Sequence, residues 1–159
     1  MLLDARAVGL AENFAEQWLQ TRFLAGSTPD PDIFPGFDAE LREAMRQETR
    51  LFFSDIVREN RSVLEFIDSD FTWVNGRLAR HYGIEGVSGE EFQRISVKGT
   101  PRGGVLTQGS VLTLTSYPTR TSPVFRGKWI LEQFLGTPPP PPPPDAVSYT
   151  HLRANETDS

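Results

Sequence analysis

The sequence predicts a mainly α-helical protein: a small helical bundle, then a short irregular and helical unit that ends in a polyproline strut. Three observations support this prediction. Apolar residues recur at spacings of three and four, which is the period of an amphipathic helix. Good capping residues precede these segments. Seven consecutive prolines, Pro138 to Pro144, follow the last segment and favour polyproline II, because proline has no amide N–H.

The first two helices are predicted from their apolar stripes. One runs from about Asp4 to Thr21, and the other begins at the capping residue Asp38 and continues to about Asn60. The segment 26–37 between them is broken by prolines and is predicted to be a loop. The side chains expected to face inward are Ala7, Val8, Ala11, Phe14, Ala15 and Trp18, and then Leu41, Met45, Phe52, Ile56 and Val57.

Shorter elements follow. Ser62 to Glu65 matches a capping box at the start of a short third helix. A fourth helix is predicted within 70–83, capped at Asp70 or Thr72 and ended by Gly83. Segment 90–99 is predicted to form a short strand that leads into a glycine-rich turn.

The last part of the chain contains one ambiguous segment and one clear helix. The β-branched residues of segment 105–118 suggest a strand, yet its apolar residues also suit a buried helix. The final helix has Ser122 as its N-cap, Pro123 at its first position and Gly136 as its left-handed C-terminal residue.

Composition restricts the partners of the protein. The chain has 159 residues and a formal net charge of −5, which gives no electrostatic reason to expect nucleic acid. It contains no cysteine, so disulfides, thiolate zinc sites and covalently attached haem c are excluded within it. No apolar run reaches the ~18 residues of a membrane span, and the first residues do not form a signal peptide.

A cluster of basic and hydroxyl residues near the start of the last helix is the candidate anion-binding site. A helix N-terminus presents unpaired N–H groups, and nearby cations add to its positive potential. A carboxylate, an acidic sugar or a haem propionate of a partner module fits this chemistry. The alternative is structural, with the same side chains holding the loop 117–121 in place. The cluster consists of Arg120, Thr121, Ser122, Arg126 and Lys128.

His81 has two interpretations. It lies near the predicted end of the fourth helix, where an imidazole interacts favourably with the helix carbonyls. The other interpretation is an axial haem ligand that the chain supplies to a neighbouring module. A metal site built from several histidines is excluded, since the only other histidine, His151, lies in a tail of different character.

Known catalytic and cation-binding motifs are missing. The chain has neither a phosphate-binding G-x-x-x-x-G-K-[ST] loop nor a G-x-S-x-G elbow, so no catalytic residue is assigned and the question of an enzyme stays open. The acidic segment 68–72 begins like a calcium loop, but Trp73 stands where an EF-hand needs glycine and Ala79 where it needs glutamate. A calcium site of another type stays open.

Several stretches of the sequence resemble one family of proteins. These are ENFAEQWLQTRFL, FIDSDFTWVNGRLARHYG and RGGVLTQGSVLTLTSYPTRTSPVFRGKWILEQFLGTPPPPPP. The family comprises large exported planctomycete-type proteins that join a cytochrome-c-like module to several domains of unknown function. Roughly residues 1–85 resemble the domain numbered fifteen-ninety-two, and about 100–145 resemble the adjacent domain numbered fifteen-eighty-eight.

The resemblance implies that the chain is an internal fragment of such a protein. We expect a helical domain over 1–95 that is truncated at its N-terminus, and a second small domain over 96–145 with the terminal helix and the polyproline segment. Residues 146–159 resemble the read-through translation of a sequencing-library adapter, so we predict a non-native tail there. An ordinary disordered tail is the alternative.

The implied function is that of a non-catalytic module in an exported, cytochrome-c-linked protein of unknown reaction. Such a module would position or dock neighbouring redox domains of the same chain. Haem c would be bound elsewhere in the full-length protein, which would be exported or periplasmic. The alternative is part of a carbohydrate-acting protein, with an anionic-sugar site near Arg120, Arg126 and Lys128.

Overall fold

The computed structural model describes residues 5–141, and its helix content of about 49% confirms a mainly α fold. The sheet of this part of the chain consists of two short antiparallel strands, β1 (Phe71–Val74) and β2 (Gln93–Ser96). Short 3₁₀ helices occur at Thr21–Gly26, Val63–Phe66 and Val105–Thr107. The α-helices are α1 (Ala5–Trp18), α2 (Ala39–Arg58), α3 (Gly76–Tyr82), α4 (Gly109–Leu114) and α5 (Pro123–Gln133).

Helix α2 lies at the centre of the first part of the fold. Its predicted N-cap is confirmed, because the Asp38 carboxylate accepts a hydrogen bond from the Leu41 amide at 2.7 Å. Of the inward positions predicted for this helix, Leu41, Met45, Phe52 and Ile56 are buried, and Val57 is half-buried. The helix therefore buries the apolar stripe that its sequence predicted.

Aromatic rings join α1 and the Val63–Phe66 turn to α2. The Phe66 ring lies 5.4 Å from Trp18 of α1 and 5.2 Å from Phe53 of α2. On the other side, the rings of Phe52 and Phe71 are 5.1 Å apart and join α2 to β1. These distances are typical of tilted and edge-to-face aromatic pairs, which stabilise a core beyond their buried area.

The predicted fourth helix is wrong over its first turn. Residues Phe71–Val74 form β1, which pairs antiparallel with β2 so that Phe71 lies opposite Ser96 and Val74 opposite Gln93. Aromatic and β-branched side chains favour this pairing, and a partner strand was available in the predicted segment 90–99. The helix begins only at Gly76, with Asn75 as its cap, and ends at Gly83 as predicted.

The third predicted helix is a single 3₁₀ turn. The Ser62 hydroxyl caps the turn by accepting a hydrogen bond from the Leu64 amide at 3.3 Å, whereas the Glu65 amide, the donor that a capping box requires, bonds to the Ser62 carbonyl. The Glu65 carboxylate accepts from Arg61 Nε at 2.6 Å, so the predicted capping box does not form. The ambiguous segment 105–118 is helical, with a 3₁₀ turn followed by α4.

The chain divides into two compact units, and the division lies after Arg126. In the second unit the Trp129 ring lies 5.6 Å from that of Phe134, and Gly136 has the predicted left-handed conformation at φ 59°. The predicted domain boundary between residues 95 and 96 stays a prediction.

Residues 142–144 of the polyproline run and the tail 146–159 lie outside the described residues. None of the helices within 5–141 combines the length and apolarity that crossing a bilayer requires.

Candidate functional site

A half-open cleft of about 210 Å³ lies in the first unit, between the loop 27–38, the end of α3, helix α4 and the turn 116–121. Most of its wall is apolar, its charged groups are basic, and no aspartate or glutamate is among the described residues that line it. The lining residues are Pro29, Phe34, Phe37, Met45, His81, Tyr82, Arg102, Gly109, Leu112, Thr113, Ser116, Tyr117, Arg120 and Thr121.

Backbone hydrogen bonds hold the outer wall of the cleft. The Asp30 amide donates to the Pro118 carbonyl at 3.0 Å and joins the loop 27–38 to the turn 116–121. Within the turn, the Tyr117 amide donates to the Arg120 carbonyl at 2.9 Å, and Ser116 forms a bridge with Thr121. The wall is therefore fixed without relying on side chains at its rim.

Arg102 is held in a defined position at the inner end of the cleft. Its guanidinium lies 3.6 Å from the centre of the Tyr82 ring, and its Nη1 donates to the Thr107 carbonyl at 3.0 Å. Within residues 5–141 this is the one hydrogen bond of its side chain, and no carboxylate there forms an ion pair with it. The remaining N–H groups of Arg102 have no acceptor among the described residues, and Arg102 lines both this cleft and two neighbouring pockets.

Two further basic side chains reach the cleft. The Arg120 guanidinium lies 5.5 Å from the centre of the Tyr117 ring, and Arg120 is exposed. The pKa of His81 is lowered, first by partial burial and then by the positive charges of Arg77 and Arg102. His81 is therefore neutral at pH 7, and the two arginines supply the positive charge of the cleft.

A buried glutamate lies behind the floor of the cleft. Glu48 of α2 is 1% exposed; its carboxylate accepts a hydrogen bond from Thr72 Oγ1 at 2.6 Å and another from the Tyr82 hydroxyl at 2.5 Å. The Tyr82 hydroxyl in turn accepts from the Gly109 amide at 2.6 Å. This chain of bonds links α2, β1, α3 and α4, and it fixes the position of the Tyr82 ring against which Arg102 packs.

Burial controls the ionisation of this network. It raises the pKa of Glu48 from 4.5 to about 7, although the hydrogen bonds from Thr72 and Tyr82 and the charge of Arg102 oppose the rise. Burial and the neighbouring Glu48 raise the pKa of Tyr82 well above 10. Tyr82 therefore stays protonated at neutral pH, and its hydroxyl serves as a hydrogen-bond donor.

A second polar network lies beside the first. Thr49 Oγ1 lies 2.7 Å from Gln108 Oε1 and 2.7 Å from the Ser110 hydroxyl, and all three residues are buried. Gln108 precedes α4, so these bonds fix the start of that helix relative to α2. Among the described residues, Gln108 Nε2 has no hydrogen-bond partner.

The structure places the predicted anion-binding residues in three environments. Arg120 and Thr121 line the cleft. Ser122 caps α5 by accepting from the Phe125 amide at 3.2 Å, and Arg126 donates to the hydroxyls of Thr115 at 3.1 Å and Ser116 at 3.4 Å.

Lys128 lies in the second unit, 3.7 Å from the Glu132 carboxylate. The structure thus gives both Arg126 and Lys128 partners of their own. His81, by contrast, joins Arg120 and Thr121 at the cleft, a combination that the sequence did not indicate. Its role as a haem ligand stays a prediction.

Sequence analysis missed Glu48 and Arg102. One signal was present for Glu48: it falls in the apolar stripe of α2, between Met45 and Phe52, so its position alone places a carboxylate in the core. Arg102 gave no comparable signal, because it lies in a glycine-rich turn where arginines are usually solvated. Among residues 5–141, no three histidine, aspartate or glutamate side chains are grouped as metal ligands.

Comparison with known proteins identifies domains of unknown function. No curated protein and no solved structure is significantly similar to the chain. Residues 102–159 match the family model PSCyt3, a protein of unknown function (DUF1588). Residues 1–84 match the adjacent model PSD4, a protein of unknown function (DUF1592). The predicted pair of domains is therefore present. Because the PSD4 match covers more than half of the chain, the chain belongs to the PSD4 (DUF1592) family.

Proposed function

We propose that this chain is a non-catalytic module of an exported protein that also carries a cytochrome-c-like domain, and that it docks this domain. The name of the PSCyt3 model supports a link to cytochromes. Two adjacent matches within one chain support a multidomain protein, in which neighbouring domains are the natural partners.

The observation that carries the proposal is an exposed apolar surface at the mouth of the cleft. Five large side chains on the loop 27–38, the turn 116–121 and the first turn of α5 are between 43% and 86% exposed. We call them the apolar rim. Exposed apolar groups that cluster beside arginines are typical of protein interfaces. The apolar rim consists of Ile33, Phe34, Tyr117, Val124 and Phe125.

Charge indicates which surface of the partner the apolar rim would meet. Arg120 and Arg102 make the cleft basic, whereas the chain as a whole is acidic. Complementary charges favour association and select the orientation of the partners. The haem domain would therefore present acidic groups, such as surface carboxylates or haem propionates, to this face.

The haem itself belongs to the partner in this proposal. Covalent attachment of haem c requires cysteine thiols, and the chain contains none. The contribution of this module is therefore to bind and orient a neighbouring domain, and no electron-transfer step is assigned to its residues. Export of the full-length protein is part of the proposal, since c-type cytochromes are assembled outside the cytoplasm.

An anionic-sugar site near Arg120, Arg126 and Lys128 has less support. Arg126 donates to Thr115 and Ser116, and Lys128 lies within ion-pair distance of Glu132. Of the three cations, Arg120 alone lines the cleft.

The proposal predicts that a haem domain encoded in the same gene binds the apolar rim. The test is an NMR titration of the isotopically labelled chain with that domain, purified separately. We expect saturable shifts at the amides of the rim, and a roughly tenfold loss of affinity in the double variant Ile33→Ser, Phe125→Ser, because a few large side chains that become buried carry much of the binding energy of an interface.

Val63→Ser is the matched control for this titration. Val63 is 74% exposed but lies in a 3₁₀ turn outside the apolar rim, so its removal should leave the affinity unchanged. A gene without any Cys-x-x-Cys-His motif, or shifts that spread evenly over the surface, would contradict the docking proposal.

A further inference from the structure

We infer that the interior of the cleft is a binding site for a small carboxylate with a flat apolar body, anchored by Arg102. This inference goes beyond the docking proposal and does not depend on it. Docking rests on the exposed apolar rim at the mouth of the cleft, whereas the carboxylate site rests on the cleft interior; the two share only the positive charge of Arg102 and Arg120.

The size and the walls of the cleft select the body of the ligand. A volume of about 210 Å³ is smaller than the roughly 300–1,000 Å³ of sites for drug-sized ligands, so about one ring fits inside. The inner wall is formed by Phe37, Met45, Leu112 and the Tyr82 ring. An aromatic or short acyl group would remove this apolar surface from water, which favours binding.

The charges of the cleft select the head group of the ligand. Two guanidinium groups line it, and His81 is neutral at pH 7 because burial and nearby arginines lower its pKa. No acidic side chain of the described residues lines the cleft, and the nearby Glu48, whose pKa the charge of Arg102 lowers, lies behind the Tyr82 ring. Low-dielectric walls strengthen the attraction of such groups for an anion. A carboxylate is the anion that pairs with a planar guanidinium through two parallel hydrogen bonds.

Arg102 is the anchor because its position is fixed before a ligand arrives. The Tyr82 ring lies 3.6 Å below its guanidinium, and Tyr82 is held from behind by Glu48 and the Gly109 amide. The Thr107 carbonyl occupies Nη1 and leaves the other edge of the guanidinium unbonded within residues 5–141. A pre-positioned group loses little conformational entropy on binding.

Arg120 has a different part in the site. It is exposed, and within residues 5–141 its guanidinium contacts the Tyr117 ring at 5.5 Å without a hydrogen bond, so it approaches the ligand from the mouth of the cleft. It contributes positive potential rather than a fixed hydrogen bond. We therefore expect its removal to weaken binding less than removal of Arg102.

The test is a calorimetric titration of the full chain with benzoate, and with benzamide as the uncharged ligand of the same shape. We expect saturable binding of benzoate and at least tenfold weaker binding of benzamide. Arg102→Gln should weaken benzoate roughly 10- to 100-fold, the range for loss of a charge-assisted hydrogen bond. Arg120→Gln should weaken it a few-fold.

Two controls keep the result interpretable. Arg80→Gln removes an exposed arginine of α3 outside the cleft and should leave benzoate affinity unchanged. If Arg102→Gln fails to fold, the inference is tested by the affinity of Arg120→Gln for benzoate and by the difference between benzoate and benzamide. Equal affinities for benzoate and benzamide, no saturable binding of benzoate, or an equal loss in Arg80→Gln and Arg120→Gln would overturn the inference. Benzoate binding without haem-domain binding would instead refute only the docking proposal.

Discussion

Replacing Glu48 by alanine should lower the free energy of unfolding by about 3–5 kcal/mol, measured by urea denaturation at pH 5. Two buried hydroxyls, those of Thr72 and Tyr82, would lose their acceptor, and each unsatisfied group costs about 1–3 kcal/mol. A cavity in the core adds to this cost. The loss should also loosen the floor of the cleft, since Tyr82 is positioned through this carboxylate.

The same residue should make stability depend on pH. Because burial raises the pKa of Glu48 from 4.5 to about 7, the folded state binds a proton more tightly than the unfolded chain. Its contribution is fully present below pH 4.5, is lost as pH rises through 7, and then stays constant. A shift of this size corresponds to about 3 kcal/mol.

Glu48→Gln is the control that isolates this effect. It keeps the shape and removes the titration, so the difference in unfolding free energy between wild type and Glu48→Gln should change by about 3 kcal/mol between pH 4.5 and pH 8. The pKa of Asp38 is lowered mainly by a hydrogen bond from the Leu41 amide, and that of Glu59 mainly by a hydrogen bond from Arg61. Their contributions to the stability of the protein are therefore lost in acid. Both are present in the two proteins, so they cancel. Parallel pH profiles would show that Glu48 does not titrate between its unfolded and folded values.

Gly104→Ala should destabilise the fold by roughly 3 kcal/mol or more, measured as a fall in Tm and in the urea midpoint. Gly104 has a φ of 63°, which disfavours any residue with a side chain, and a Cβ there would lie 2.5 Å from the Phe66 carbonyl oxygen. Because the obstacle is backbone, it cannot move aside cheaply. The substitution should also displace Arg102, which lies two residues earlier in the same turn.

Gly99→Ala provides the matched comparison. Gly99 also has a positive φ, of 80°, but an added Cβ would meet no atom within 4 Å. Its cost should be limited to backbone strain, about 1 kcal/mol. Equal destabilisation by the two substitutions would mean that the close approach of the Arg102 turn to Phe66 is not a constraint on the fold.

Local signals in the sequence predicted the helix ends well. Asp38, Ser122, Gly83 and Gly136 act through atoms at most a few residues away, and each lies where its sequence neighbours indicated. The strand Phe71–Val74 was assigned to a helix because its conformation depends on pairing with Gln93–Ser96, about twenty residues later. Pairing at that distance leaves no local pattern.

The candidate site was predicted only in part for the same reason. Arg120 and Thr121 were identified from their basic and hydroxyl character, but their partner in the cleft, Arg102, comes from another turn of the chain. Arg126 was grouped with them from its spacing on the helix, and the structure gives it the hydroxyls of Thr115 and Ser116. Convergence of separate segments decides which of several similar cations faces a cavity.

The most direct test of the cleft as the functional site is a crystal structure of the chain with 4-bromobenzoate, whose bromine can be located by anomalous scattering. We predict a ring between Phe37 and Leu112, with its carboxylate oxygens at hydrogen-bond distance, about 2.7–3.0 Å, from the Arg102 guanidinium. Bromine at other surfaces with the cleft unfilled, or a ring in the cleft whose carboxylate points away from Arg102, would contradict the account.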